Sequence, residues 1–253
     1  MSRAAIEDYQ AQLRPVREAG LQSGVVRSLL DPSLPGRLLH RFLIEYCARG
    51  VQITQPVAGW IGRAGRRCKE LGLVALGDSL TQHAAHEAGH ELLFVEDTRR
   101  LVQNYNERYG EELSARALLV PHDSAAVARY VELHEQTIAG PAPFAQVAIE
   151  LEIEALSVAL GPLFLSQVER ALGSGVLACL SFLREHVALD AGHTALNQRM
   201  LQRLLAERPD ALAALIGAGT AALSAYLDFI RECFEAAASA ADGTPSYPRS
   251  RSA

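Results

Sequence analysis

The chain has 253 residues, 49% of them hydrophobic and 21% charged, which is enough apolar content to bury a large core and too much for a disordered chain. A formal net charge of -5 argues against a nucleic-acid binder held by phosphate contacts. Aromatic residues are only 6% and Ala and Leu dominate, so strands are disfavoured and an all-α protein is expected.

Along the chain, apolar residues recur at spacings of three and four between Gly and Pro punctuation. They predict helices near 5–19, 36–49, 52–71, 78–108, 124–138, 143–171, 175–206 and 209–238. Asp78 or Ser79 would cap the fourth of these, Asp123 or Ser124 the fifth, and Pro209 suits a first helical position. Gly161 and Pro162 are expected to kink or split the sixth. No linker interrupts the pattern, which predicts a single-domain bundle of about seven or eight helices over 1–238 and a disordered tail over 239–253. The first residues carry no apolar run, so no secretory signal and a cytoplasmic location are expected. The uncharged run from Ala211 to Leu227 is too short and too weakly apolar for a membrane span and reads as a core helix. Cys47, Cys68, Cys179 and Cys233 form no CxxC pair and are expected as free thiols.

Chemistry concentrates in three stretches. In the seventh predicted helix, His186, Asp190 and His193 are separated by steps of four and seven residues, rotations of about +40° and -20°, so all three project from one face. Two imidazoles and a carboxylate converging on an otherwise apolar helix form a metal site suited to iron. In the fourth predicted helix stand His83, His86, Glu87, His90 and Glu91. Glu87 and His90 read as Glu-x2-His; His86, Glu87 and His90 read equally as the His-Glu-x2-His zinc-protease pattern, with Glu87 as general base. In the sixth, Glu150, Glu152 and Glu154 alternate inside an apolar helix. A buried glutamate needs a partner, and a metal is one; periodicity alone does not choose among the three, although amphipathy favours Glu152.

At these residues the chain resembles the haem-oxygenase-like di-iron oxidases and oxygenases. The likeness covers roughly residues 78–206 and rests on Glu87 with His90, on Glu154 followed by Ala155 and Ser157, and on His186 with Asp190 and His193. It implies a haem-oxygenase-like helical bundle that holds two Fe(II) ions through Glu87, His90, Glu154, His186, Asp190 and His193. It also implies activation of O2 as co-substrate, and C–C cleavage, desaturation or N-oxygenation of a small organic molecule. His83, one turn before Glu87, stands where some members place a carboxylate. His40 is the sole early histidine that could hold haem, and the residues around it lack that motif. A small-molecule substrate is the expected partner, with no nucleic acid and no membrane, and a homodimer is open to it. Glu91 or Asp97 would orient the histidines, and Phe94 would line the pocket. Two other readings stand beside this one: a zinc metallopeptidase on His86, Glu87 and His90, and a metal-free ligand-binding protein of the same fold.

Overall fold

The structure, a computed structural model, describes residues 2–121 and 123–241. The described residues run through twelve helices: α1 (Ser2–Leu21), α2 (Gly24–Leu30), α3 (Gly36–Thr54), α4 (Val57–Glu70), α5 (Val74–Glu87), α6 (Glu91–Tyr109), α7 (Ala115–Leu118), α8 (Ala125–Ala139), α9 (Gln146–Leu172), α10 (Ser174–Leu177), α11 (Ser181–Glu207) and α12 (Leu212–Ala241). Two 3-10 turns, Pro143–Ala145 and Pro209–Ala211, lead into α9 and α12. No strand occurs among the described residues. The all-α expectation therefore holds; the short helices α2 and α7 add to the expected count because their patterns are too brief to show periodicity, and the helix expected over 175–206 is divided into α10 and α11.

α3 runs through Gly50 to Thr54, past the expected end at 49, and three further differences from the sequence reading bear on the site. The expected helix over 78–108 is two helices, because Gly89 adopts φ +91°. Extended Ala88 ends α5 there, and α6 starts afresh after His90. That φ belongs to the left-handed region that only glycine enters without strain. Asp78 and Ser79 cap nothing: α5 already begins at Val74, Asp78 pairs with Lys69, and Ser79 donates to the Ala75 carbonyl. The third difference is at Gly161 and Pro162, where α9 continues unbroken to Leu172. Gly161 serves packing instead, since a Cβ there would stand 2.3 Å from Val187 Cγ2, so its absence lets α9 and α11 approach closely. Ser124 caps α8 as expected, its side chain accepting from the Val127 N–H.

α9 packs between α11 and α12, while α12 also meets α1, α3 and α8. With its leading turn, α12 is long and apolar enough by composition to cross a membrane, more so than the sequence run suggested. Its buried positions include Leu215, Leu223, Phe229, Ile230 and Cys233, and its exposed ones are Ala213, Gly217, Ser224, Arg231, Glu235 and Ser239. The outward face thus lacks large apolar side chains, as befits a bundle helix. All four cysteines are free and buried. Residues 239–241 belong to α12, so that part of the expected tail is helical; the rest lies outside the described residues.

Candidate metal centre

α5, the break after it, α9 and α11 deliver the polar side chains of the site. One group comprises His83, Glu87, Glu154 and His193; a second comprises Glu87, His90 and His186. In each group the candidate ligand atoms lie within 4.8 Å of one another, and Glu87 belongs to both. His83 and Glu87 stand one helical turn apart on α5, so they share a face. His90 reaches Glu87 across the Gly89 turn, with Nδ1 3.1 Å from Glu87 Oε2. His83 Nε2 lies 3.4 Å from Glu87 Oε1 and 3.2 Å from Glu154 Oε1. His193 Nδ1 lies 3.2 Å from that same Glu87 oxygen.

Further contacts hold these groups in place. His186 Nδ1 donates to the Phe182 carbonyl at 2.9 Å. A carbonyl only accepts, so the proton sits on Nδ1 and leaves the Nε2 lone pair free to bind a metal. The His186 ring stacks on Phe182, which stacks on Phe94. Asn197 Nδ2 donates to Glu154 Oε2 at 2.7 Å and fixes that carboxylate. Asp97, expected to orient a histidine, instead accepts from the backbone of Ser181 and Phe182 at the start of α11. It anchors the start of α11 rather than a histidine.

The electrostatics of the cluster are those of anions compensated by imidazoles alone. Burial opposes charge on His83, but the neighbouring Glu154 and Glu87 outweigh it and carry its pKa up to about 10. Burial likewise opposes the Glu87 carboxylate, yet His193, His83 and His90 hold its pKa far below the usual range. Burial lifts Asp190 to about 7, against the pull of the Ser157 hydroxyl, and lowers His186. Nδ1 of His83 and Oδ1 of Asp190 are buried without a hydrogen-bond partner, while His83 Nε2 and His193 Nδ1 face the carboxylates of Glu87 and Glu154. Such atoms are costly unless something binds them. Imidazole nitrogens and carboxylate oxygens converging at this spacing fit a divalent metal ion, which would take the place of the imidazole protons.

Five of the six residues expected as ligands, Glu87, His90, Glu154, His186 and His193, fall in these two groups. The sixth, Asp190, stands beside them, 4.0 Å from His193 Nδ1. His83 joins as a further member, and its position one turn before Glu87 was the signal. Glu152 is elsewhere: it takes hydrogen bonds from Tyr9 at 2.8 Å and from Arg17 at 2.6 and 2.7 Å, so its partner is a guanidinium. His86 is exposed and belongs to neither group, and the turn at Gly89 separates it from His90, so the zinc-protease pattern is not assembled on one helix face. Buried His40 lies against the Leu101 carbonyl, Tyr105 and Tyr109, away from the cluster.

Beside the cluster lies a cavity of about 140 Å³. Glu87, Glu154, His186 and Asp190 form part of its wall, and Phe94 lines it as expected. Val26, Leu29, Phe42, Ile53, Leu160 and Phe164 are among its apolar lining.

No protein-family model matches the chain, and no curated protein matches it in sequence. Its backbone does match solved structures. A domain of unknown function with a haem oxygenase-like fold from Shewanella denitrificans superimposes with a TM-score of 0.74, at 16% identity, covering 96% of this chain and 98% of that one. The fold is haem-oxygenase-like. A TenA homolog from Pseudomonas syringae pv. tomato shares this haem-oxygenase-like fold at TM-score 0.67 and 14% identity, over 92% of this chain and 93% of its own. So does a CADD-like protein of unknown function from Nostoc punctiforme, at 0.61 and 14%, over 91% and 99%. At these identities the likeness is one of fold, and a site must be argued from its own residues.

Proposed function

We propose that this protein is a non-haem di-iron enzyme, an oxidase or oxygenase that uses O2 to act on a small organic molecule. The observation that supports this most is the sharing of Glu87 between two groups of nitrogen and oxygen donors. One ion would be held by His83, Glu87, Glu154 and His193, the other by Glu87, His90 and His186. Asp190, with its buried Oδ1 unpaired, is the carboxylate left to complete the set. When bound, ferrous ions would supply the electrons for reducing O2, which no side chain in the cavity can do.

The chain's own part is positional. Phe182 fixes the tautomer of His186 through its carbonyl, and Asn197 fixes the rotamer of Glu154. The apolar lining keeps water from the reacting centre and leaves the substrate as the reductant or oxygen acceptor that fits. The zinc-peptidase reading needs His86 and His90 together and finds no support in their placement.

The test is oxygen uptake. Chelated protein is loaded anaerobically with Fe(II) and then exposed to O2 while uptake and visible absorbance are followed. The expected result is rapid uptake with a transient visible band in the wild type, and neither in His186→Ala. Uptake no faster than that of Fe(II) in buffer would contradict the proposal.

A further inference from the structure

The cavity has an unusual charge census. Its lining includes the carboxylates Glu87, Glu150, Glu154 and Asp190, while none of the described residues lining it is Arg or Lys. Three of these carboxylates are accounted for by the metal centre. Glu150 is not: it lies outside both donor groups, one turn before Glu154 on α9. Its Oε1 accepts from Gln146 Nε2 at 2.6 Å, and the other contact of that amide is His134 Nδ1 at 2.7 Å. Gln146 and His134 thereby set the direction of Glu150 from the side away from the cavity. No ion pair of Glu150 with Arg or Lys occurs among the described residues, although the group is only 8% exposed. Burial accordingly pushes its pKa up to about 8.

An acid this buried is disfavoured as a carboxylate, and the His83 imidazolium, shared with Glu87 and Glu154, offsets only part of that cost. Arg17 relieves Glu152 of that cost on the other side of the same helix; for Glu150 only the shared His83 imidazolium does so in part, and no Arg or Lys among the described residues pairs with it. Around it the cavity wall is hydrocarbon and aromatic, with Tyr130 and Ile153 nearby in the lining. The cavity's 140 Å³ holds about ten heavy atoms, taking ~10–15 Å³ for each water-sized position.

We propose that the cavity binds a small amine, an apolar body of about ten heavy atoms whose ammonium group is received by Glu150. The ammonium donates to the Glu150 carboxylate while the hydrocarbon portion fills the space between α2, α3, α9 and α12. This names a substrate class for the proposed enzyme and rests on that reading only for the reaction, since binding through Glu150 needs no metal. A carboxylic acid would meet four acidic groups and no cation in the lining, so without metal it is excluded by charge.

The experiment measures calorimetric binding of octylamine, octan-1-ol and octanoate to the full chain, purified with its metal and again after chelation. Octylamine is expected to bind the chelated protein at least tenfold more tightly than octan-1-ol, with octanoate weakest. Glu150→Gln is expected to lose at least tenfold in octylamine affinity and to keep its octan-1-ol affinity, which also reports that it is folded. Equal octylamine affinity in wild type and Glu150→Gln would overturn the proposal. So would octanoate binding chelated wild-type protein as tightly as octylamine, a result that needs no variant. Because binding is read without metal, failure here leaves the di-iron proposal to its own test, and the reverse holds as well.

Discussion

Histidines 86, 186 and 193 are chemically alike, and their surroundings separate them. His186 has its Nδ1 proton engaged by a carbonyl, His193 turns its Nδ1 to the Glu87 carboxylate 3.2 Å away, and His86 is exposed. Iron content after anaerobic loading should therefore fall by at least one ion per chain in His186→Ala and in His193→Ala, with helix content near wild type by circular dichroism. His86→Ala should load normally. Equal loss in all three would mean that the two donor groups are not what binds iron. The triple of His186, Asp190 and His193 was legible in the sequence because one helix carries it and rotation alone aligns it. The choice among Glu150, Glu152 and Glu154 was not legible. α9 is buried on several sides, so amphipathy gives no outward face to subtract, and the partners that decide each glutamate's role lie far away in sequence: Arg17 for Glu152, Asn197 and His83 for Glu154. Amphipathy favours Glu152, and Arg17 is the reason its carboxylate stands apart from the cluster.

At the scale of elements, the sequence reading missed the turn between α5 and α6. The apolar spacing continues through it, and a lone glycine inside such a pattern reads as a tolerated interruption. The Gly89 turn changes how His90 reaches Glu87: the contact crosses a chain reversal instead of running up a helix face. Gly161 was read as a break and proved to be a contact. The distance to Val187 predicts that Gly161→Ala destabilises the protein by roughly 1–3 kcal/mol through overpacking, read as a shift in urea midpoint. Combining it with Val187→Ala should recover most of the overpacking cost, because the two sites share one contact. Additive losses in the double variant would show that the α9–α11 approach is not limited by this pair.

For the whole molecule, the bundle architecture was legible from composition and periodicity, whereas the route by which α1, α5, α9 and α11 meet was not, since it depends on packing between distant segments. One consequence concerns stability against pH. Burial pushes the pKa of His40 down to about 4 from its ordinary 6.5, with the Leu101 carbonyl offsetting part of the shift. The ring is thus neutral in the fold, and the unfolded chain takes up its proton first as pH falls. The stabilisation is complete above about pH 6.5 and is lost progressively down to about pH 4, by roughly 3 kcal/mol. His40→Gln lacks that titration, so denaturation curves should show the stability gap between wild type and variant narrowing by about that amount from pH 7 to pH 4. A gap that stays constant would rule out a neutral buried ring.

Equilibrium Fe(II) binding to the chelated, oxygen-free full chain decides whether Glu87 serves two metal positions. Two ions per chain are predicted for the wild type and none for Glu87→Ala, because both groups lose their common member. Two ions retained by Glu87→Ala, or fewer than two bound by the wild type at saturation, would contradict that shared role.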